Sequence, residues 1–298
     1  MKDFVIIGAG KAGLSAAIYA AKVKRQVSVL TKKDSHDRNG RHWFVPGLTI
    51  TAPDHLKNLR AEAEKLGVKI IEEEVVQATL GTSEKKIMTS SKRVWDASAV
   101  ILASGCETRK GPIDGEEKFV GCNIHYNIYQ EGLYYDGKTV LVEGKNEEAI
   151  RDVLSLSRFA QKIYFVVPAM KLDGDQKLLE RVKNESKIEV LLSSSIKKME
   201  GSDVLKTVTV LSQGEEKKLE IDGAFLLARQ SLPQYDYVRG TISISPEGCV
   251  LVDDRFMTSI PGVFCCGDMV AGVPQSPFIS MAQGFAAAMQ ADRYLSQL

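Results

Sequence analysis

Residues 4–13 read Phe4-Val5-Ile6-Ile7-Gly8-Ala9-Gly10-Lys11-Ala12-Gly13, and a run of helix-forming residues, Leu14-Ser15-Ala16-Ala17-Ile18-Tyr19-Ala20-Ala21, follows directly. This order predicts a strand, a glycine turn and a helix, and the apolar alternation over 26–30 closes a βαβ unit of the size that binds dinucleotides. Gly8 would make the bend, Gly10 would let backbone approach a pyrophosphate, and Gly13 would let the helix pack on the strand. The stretch predicts a dinucleotide site at a helix N-terminus, with a glycine turn kept only for packing as the alternative.

A second, weaker copy of this pattern predicts a strand at 138–143, a helix at 147–159 and a strand at 162–167. Its turn, 144–149, has one glycine, and Glu147 and Glu148 at the start of the helix would repel a pyrophosphate. The copy is therefore interpreted as structural. We predict an α/β fold with two Rossmann-like (βαβ) domains, one formed by 1–111 plus 243–298 and the other by the inserted segment 112–242.

The composition excludes several classes of protein. Lys and Arg number 39 against 38 Asp and Glu, so the net charge is +1, which argues against a strongly electrostatic nucleic-acid or membrane-surface binder. With 44% hydrophobic and 26% charged residues the chain is typical of a globular protein, and its lack of a long apolar run predicts a cytoplasmic one. The five cysteines form no CxxC pair, which argues against a disulfide framework or a metal site.

Four blocks in chain order resemble the low-molecular-weight thioredoxin reductases, a group of FAD-dependent pyridine nucleotide-disulfide oxidoreductases. They are Gly8–Gly13, similar to the FAD pyrophosphate turn; Ile101–Gly105, similar to an ATG-type stretch; Pro112–Phe119, similar to the segment before the redox site; and Ile260–Asp268, similar to the terminal FAD motif. The resemblance runs nearly end to end. It implies FAD as cofactor, an FAD-binding first domain, a degenerate NAD(P)H-binding-like inserted domain and a homodimer.

The resemblance also implies which residues contact FAD. Asp268 would accept a hydrogen bond from the ribityl chain, and Gln275 and Ser276, which stand where the family usually has Arg-Gln, would approach the isoalloxazine ring. Thr31 replaces the acidic residue expected to hold the adenosine ribose; its hydroxyl can still bond to the ribose, and Asp34 could compensate. The candidate FAD-binding residues are Gly8, Gly10, Lys11, Ala12, Gly13, Thr31, Ala103, Ser104, Gly105, Gly267, Asp268, Gln275 and Ser276.

The chain departs from the family at both ends of its electron path. The slot of the redox CxxC holds Asn127-Ile128-Tyr129-Gln130, which has no thiol for a disulfide relay. The NADPH turn falls on 144–149, and the arginine cluster for the 2′-phosphate falls near Val167–Met170, which has no guanidinium. A further glycine of the nucleotide domain falls near 229–230. These departures predict that NADPH does not bind in the usual way.

Three residues are candidates for catalysis, each with a structural alternative. Tyr129 fills the place of a reactive cysteine and could stack on the flavin, or it could simply fill the vacated volume. His125 could move a proton, although a lone histidine is more often a hydrogen-bonded structural residue. Cys266, beside Cys265 and just before Gly267, could be a redox thiol, with packing as the favoured interpretation.

The sequence therefore predicts an FAD flavoprotein oxidoreductase that passes electrons between FAD and a non-nicotinamide carrier such as ferredoxin, or a small acceptor. The alternative is a catalytically retired FAD-binding scaffold or regulatory subunit. Paired lysines could offer a docking surface to an acidic carrier, although solvated turns are the more ordinary interpretation. These pairs are Lys32-Lys33, Lys85-Lys86, Lys197-Lys198 and Lys217-Lys218.

Overall fold

The computed structural model of the protein describes residues 2–32, 52–81, 84–108, 113–119, 123–126, 128, 131–227, 231–238 and 240–298. These residues form two compact units. The described residues of 2–32, 52–107 and 231–298 belong to the first unit, and those of 108–230 to the second. The first unit includes the described residues of 231–242, a segment that the sequence analysis assigns to the inserted domain. Among the described residues, no helix is long and apolar enough to cross a membrane.

Strands and helices alternate along much of the chain. The strands are β1 (Lys2–Ile7), β2 (Val27–Leu30), β3 (Lys69–Ile71), β4 (Val75–Leu80), β5 (Lys85–Thr89), β6 (Val94–Leu102), β7 (Cys106–Thr108), β8 (Ile124–His125), β9 (Thr139–Glu143), β10 (Lys162–Val166), β11 (Ile188–Leu191), β12 (Ser194–Gly201), β13 (Leu205–Ser212), β14 (Glu215–Glu220), β15 (Gly223–Leu226), β16 (Ser231–Pro233) and β17 (Val263–Cys265). The helices are α1 (Lys11–Lys22), α2 (Ala52–Lys65), α3 (Glu116–Phe119), α4 (Glu147–Leu156), α5 (Gln176–Asn184) and α6 (Pro277–Leu295), with 3-10 turns at Gly132–Tyr135 and Asp236–Val238.

The first unit is built on one sheet in the order β3-β2-β1-β6-β5-β4, with β17 also paired to β6. Strands β1, β2, β3, β6 and β17 are parallel, whereas β4, β5 and β6 form antiparallel pairs. Both faces of the parallel strands are covered, which explains why β2 is buried throughout its length. The alanine-rich helices α1 and α6 pack together on one face, and a β-carbon at Gly284 would lie only 2.0 Å from the Ala12 carbonyl oxygen.

The second unit contains a parallel sheet in the order β11-β10-β9-β15-β8 and an antiparallel sheet in the order β12-β13-β14. Helix α4 connects β9 to β10 and α5 connects β10 to β11, as in a Rossmann-like fold. Helix α4 begins where it does because the Asn146 side chain accepts a hydrogen bond from the Ala149 amide at 3.1 Å. The predicted α/β class with two Rossmann-like folds is confirmed.

Candidate cofactor-binding site

The carboxyl ends of four parallel strands carry most of the candidate FAD-binding residues. Gly8 follows β1, Thr31 follows β2, Ala103–Gly105 follow β6, and Gly267 and Asp268 lie just after β17. Because these strands are parallel neighbours, their carboxyl ends meet at one edge of the sheet. Ligands of open α/β sheets bind outside this edge. The structure thus brings together residues from distant parts of the sequence at the edge where a dinucleotide would bind.

The glycines of the first turn meet different surroundings. Gly8 has φ +112°, and a β-carbon there would lie 2.2 Å from the Ala103 carbonyl oxygen. At Gly13 a β-carbon would lie 1.9 Å from the carbonyl oxygen of Gly8. At Gly10, in contrast, no atom of the described residues lies within 4 Å of where a β-carbon would be. Gly8 and Gly13 therefore allow the turn to close, and Gly10 leaves open space beside the backbone.

The N-terminus of α1 is available to a negatively charged group. Its N-cap, Gly10, provides no side-chain hydrogen bond, and the first turn holds no acidic residue. The first helical residue is Lys11, which adds positive charge at the end where the helix dipole is already positive. Open backbone, uncapped amides and a cation are what a pyrophosphate requires, so these residues fit the phosphates of FAD.

A second turn, at Gly267 and Asp268, lies between the two alanine-rich helices. Gly267 has φ +79°, and a β-carbon there would lie 3.0 Å from the Ala12 β-carbon and 3.9 Å from the Ser280 β-carbon. The turn is hydrogen-bonded to α6: the Gly267 amide donates to Gln283 Oε1 at 2.8 Å, and Ser280 Oγ donates to Asp268 Oδ1 at 2.7 Å. This places the Asp268 carboxylate close to the N-terminus of α6 and the Gly267 backbone close to that of α1.

Sequence reasoning missed Ser280 and Gln283. Both belong to α6, which is otherwise rich in alanine and apolar residues, and both are buried. A polar side chain on the buried face of such a helix needs a hydrogen-bond partner. The polar residues at these two positions therefore indicated that each side chain bonds to another part of the protein. Nothing in the sequence alone shows that the partner is the turn twelve to sixteen residues earlier.

The third stretch, Ala103–Gly105, is held by the segment that follows β16. The Ser104 hydroxyl bonds to the Gln234 carbonyl oxygen and, at 2.7 Å, to the Tyr237 hydroxyl. Tyr237 was also missed by the sequence analysis. Burial raises the pKa of its phenol well above the ordinary value, so Tyr237 remains a neutral hydrogen-bonding group.

Gln275 and Ser276 lie at the entrance to α6. Ser276 is the N-cap of this helix and makes no side-chain capping bond, and Pro277 is at the first helical position. Gln275 Nε2 lies 3.9 Å from Cys106 Sγ, which in turn donates to the Asp268 carbonyl oxygen at 3.1 Å. Thus both residues lie near the Asp268 turn. Thr31, at the end of β2, is buried, while Asp34 lies outside the described residues.

The corresponding turn of the second unit is occupied by the chain itself. The Ala149 amide is bound by Asn146, and a β-carbon at Gly144 would lie 2.5 Å from the Ala149 β-carbon. Residues 173–175 pack over the first turn of α4, where the Asp175 amide donates to Glu147 Oε2 at 3.1 Å. Hydrogen bonds from Arg151 and then from the Asp175 backbone lower the pKa of Glu147, so its carboxylate stays charged.

Of the candidates for catalysis, two lie among the described residues. His125 is buried in the second unit with its Nε2 2.6 Å from the Tyr135 hydroxyl, and burial lowers its pKa to about 3. An imidazole that remains neutral at physiological pH is a structural group and a poor proton carrier, which argues against the catalytic role considered for it. Tyr129 lies outside the described residues.

The adjacent cysteines lie in separate hydrophobic cores. Cys265 packs with Val100 and Met269 on one face of the sheet, whereas Cys266 packs on the other face, and both are free thiols. Burial raises the pKa of Cys266 to about 12, which leaves almost no nucleophilic thiolate. This environment argues for packing and against a redox role for Cys266. Among the described residues, no group of three or more His, Cys, Asp or Glu side chains could hold a metal.

Comparisons with known proteins agree with this geometry. The pyridine nucleotide-disulphide oxidoreductase family model matches residues 2–151 and 154–284. A thioredoxin reductase from Aquifex aeolicus is 30% identical over 302 aligned positions, which cover 99% of this chain and 93% of that protein. The 34.2 kDa protein in the rubredoxin operon of Clostridium pasteurianum is 27% identical over 299 positions, covering 98% of this chain and 97% of that protein.

A solved structure shows the same fold. The crystal structure of thioredoxin reductase from Streptococcus pyogenes superposes with a TM-score of 0.94 at 24% identity, covering 100% of this chain and 99% of that one. Together with the open glycine turn and the Asp268 turn, these matches place the chain in the pyridine nucleotide-disulphide oxidoreductase family, as an FAD-dependent oxidoreductase of the thioredoxin reductase type.

Proposed function

We propose that the protein passes electrons between FAD and a small redox protein, such as a ferredoxin or rubredoxin, or a small acceptor, without a redox disulfide of its own and without the family's usual NADPH site. When bound, FAD supplies one- and two-electron chemistry. The residues proposed to hold it are the thirteen candidates of the sequence analysis, all in the first unit. The pyrophosphate would bind at Gly10 and Lys11, and the ribityl chain at Asp268.

One observation carries this proposal, namely the difference between the two glycine turns of the chain. The turn before α1 leaves its amides uncapped, has space beside Gly10 and holds no acidic residue. The turn before α4 has a side-chain cap and is covered by 173–175, and the helix that follows it begins with two glutamates. A pyrophosphate would have to displace the cap and approach two carboxylates, so nicotinamide nucleotides are poor ligands for the second turn.

The proposed lack of a redox disulfide is supported by the sequence and by the four cysteines of the described residues, while Cys122 lies outside them. The stretch 127–130, where the family places its CxxC, contains no cysteine. The described cysteines are thiols, and burial raises the pKa of each of them. A thiol that rarely ionises exchanges slowly with a disulfide. Reduction of thioredoxin by the family's relay is therefore not expected of this protein.

The nature of the carrier is inferred from a relative. The similar Clostridium pasteurianum protein is described by its position in a rubredoxin operon, which favours a small redox protein as partner. The lysine pairs contribute little to docking. Lys85 is buried, Lys86 pairs with Glu84 at 3.0 Å, and Lys198 and Lys218 share Glu200. At Lys86, Lys198 and Lys218 an acidic side chain offsets part of the positive charge, and Lys33 lies outside the described residues.

The proposed homodimer is supported by one face of α6. Phe278 and Phe285, seven residues apart, leave 48% and 45% of their surface exposed, and Met281, Ala282 and Met289 continue the same face. Two copies of an apolar helix face can pack on each other about a twofold axis.

Changing Phe278 and Phe285 together to Glu should convert a dimer to a monomer in sedimentation, whereas Leu133→Glu, at another exposed apolar residue, should not. A wild-type monomer would refute this proposal.

The proposed activity can be tested by mixing the dithionite-reduced protein with oxidised carriers in an anaerobic stopped-flow instrument. If the carrier is the acceptor, we expect the flavin band to return on mixing with oxidised ferredoxin or rubredoxin. If it is the donor, we expect the reduced carrier to bleach the band of the oxidised protein. Either rate should rise with carrier concentration. Oxidised thioredoxin should leave the band unchanged. If neither the carriers nor a small acceptor exchange electrons with the flavin in either direction, the electron-transfer function is wrong. A stable complex with a non-redox protein would then favour the retired-scaffold interpretation.

A further inference from the structure

Helix α6 reaches back to the Asp268 turn through two buried polar side chains. Ser280 and Gln283 are each only 7% exposed. Ser280 Oγ donates to Asp268 Oδ1 at 2.7 Å, and Gln283 Oε1 accepts from the Gly267 amide at 2.8 Å. The two bonds hold both the backbone and the carboxylate of the turn against one helix.

The bond from Ser280 is not the local one that a helical serine can make. A serine hydroxyl inside a helix commonly donates to the carbonyl oxygen four residues earlier. Here that carbonyl, of Ser276, accepts the Ser280 amide at 2.8 Å, and the hydroxyl donates to Asp268. A buried hydroxyl that bonds a carboxylate makes a charge-assisted hydrogen bond, which is stronger than a neutral one.

A free aspartate carboxylate turns readily about its terminal torsion, so it is a poorly oriented acceptor. A donor fixed on one oxygen removes that freedom and leaves the second oxygen in a defined direction. Gly267, which adopts φ +79° between Ala12 and Ser280, sets the backbone from which this carboxylate extends. The turn and α6 therefore form one preorganised acceptor before any ligand binds.

We propose that Ser280 is a positioning residue for the cofactor: its hydroxyl holds Oδ1 of Asp268 so that Oδ2 is directed to accept from a ribityl hydroxyl of FAD. The role rests on the assignment of Asp268 to the FAD site made above. Gln283 supports it by fixing the Gly267 amide. Ser280 itself does not touch the cofactor.

The test measures the dissociation constant of FAD from apoprotein, by quenching of FAD fluorescence, in Ser280→Ala, Ser280→Thr, Asp268→Asn and the Ser280→Ala/Asp268→Asn double variant. Ser280→Ala should bind FAD roughly tenfold more weakly, because one hydrogen bond to a charged acceptor is lost. Ser280→Thr keeps the hydroxyl and should return to within about threefold of wild type. The double variant should bind no more weakly than Asp268→Asn alone, since Ser280 acts through Asp268.

Ser28 supplies a matched control. It is fully buried in β2 of the same unit, and its hydroxyl has no hydrogen-bond partner among the described residues. Ser28→Ala therefore removes a buried serine hydroxyl, as Ser280→Ala does, but at a position outside the Asp268 turn. It should leave FAD affinity unchanged. Thermal unfolding of each apoprotein shows whether a variant is folded. If Ser280→Ala is not, Ser280→Cys, which replaces the hydroxyl by a weakly donating thiol, takes its place with the same expected loss of affinity.

The outcomes separate the positioning role from the site itself. Wild-type FAD affinity in Ser280→Ala would overturn the positioning role but leave the FAD site intact. The same holds if Ser280→Ala weakens FAD binding as much in the Asp268→Asn background as in the wild-type protein. Failure of Ser280→Thr to recover affinity while it remains folded would also overturn it. Wild-type affinity in Asp268→Asn would refute the assignment of Asp268, and the role of Ser280 with it.

Discussion

At the scale of single residues, two glycines of the first turn have different roles: Gly8 is required by the fold, and Gly10 by the proposed ligand. Gly8 has a positive φ and a carbonyl oxygen 2.2 Å from where its β-carbon would be, so only glycine fits there. Gly10 has φ −75° and open space, so the fold itself tolerates a side chain at this position. The space that the described residues leave at Gly10 fits a bound ligand.

This difference predicts opposite behaviour for two alanine variants. Gly10→Ala should lower the stability of the apoprotein by no more than about 1 kcal/mol but weaken FAD binding at least about tenfold, because its methyl group occupies the pyrophosphate's space. Gly8→Ala should cost several kcal/mol and give little folded protein. Urea unfolding of apoprotein and FAD titration measure both effects. Unchanged FAD affinity in Gly10→Ala would show that the phosphates bind elsewhere.

A buried acid in the second unit makes stability depend on pH. Asp152 is buried on α4, where burial and then the nearby charge of Glu148 raise its pKa to about 7 from an ordinary value of 3.8. The folded state thus binds the proton more tightly than the unfolded state does. The contribution of Asp152 to stability is fully present below about pH 4 and is lost as the pH rises through about 7.

Asp152→Asn should therefore be more stable than wild type at pH 8, by about 1–3 kcal/mol after allowance for solvent screening, and the difference should shrink toward pH 4. Denaturant unfolding at several pH values measures it. Asp203→Asn, at an exposed aspartate of the same unit, is the control and should change stability little at any pH. A constant difference between Asp152→Asn and wild type from pH 4 to 8 would contradict the assigned pKa.

At the scale of helices and strands, what caps a helix N-terminus distinguishes a binding site from a structural end. The N-terminus of α4 is satisfied by Asn146, whereas α1 and α6 begin without a side-chain capping bond and near the Asp268 turn. Unsatisfied amides at a helix start are stabilised by water, by a cap or by a ligand. Helices α1 and α6 are thus the elements that gain from a bound anion or polar group.

Removing side chains at two of these N-caps should therefore have unequal effects. Asn146→Ala should destabilise the apoprotein by about 1 kcal/mol, because it removes the bond to the Ala149 amide. Ser276→Ala should change apoprotein stability by only a few tenths of a kcal/mol, since no capping bond is lost. Thermal unfolding of the two apoproteins compares them directly. An equal or larger loss in Ser276→Ala would contradict the description of α6 as uncapped.

The first glycine turn could be predicted from the sequence because the close packing at Gly8 and Gly13 leaves no room for a β-carbon, and this requirement appears directly in the spacing of the glycines. Both Rossmann-like folds were predicted for the same reason, since each repeats the strand, turn and helix pattern. The partners of the site could not be predicted in this way. Ser280, Gln283 and Tyr237 reach the site only through packing between segments far apart in sequence, and the pairing of 231–242 with the first unit depends on that packing too.

At the scale of the whole molecule, the two Rossmann-like folds differ at the turn where a nucleotide would bind. The first unit keeps an open edge with a positive helix end, and the second closes the equivalent place with its own cap, backbone and carboxylates. The resemblance to the thioredoxin reductases implies the use of both edges, one for FAD and one for NADPH. Our account assigns this chain one working nucleotide edge and therefore an electron source other than a nicotinamide.

The most direct test of this account is an anaerobic titration of the FAD-loaded protein, followed at the visible flavin band. Addition of NADPH or NADH at stoichiometric amounts should leave the band unchanged, and subsequent dithionite should bleach it fully, which would show a redox-competent flavin with no nicotinamide route. Stoichiometric bleaching by NADPH or NADH would contradict the account, because it would require a working nucleotide site despite the capped turn at α4.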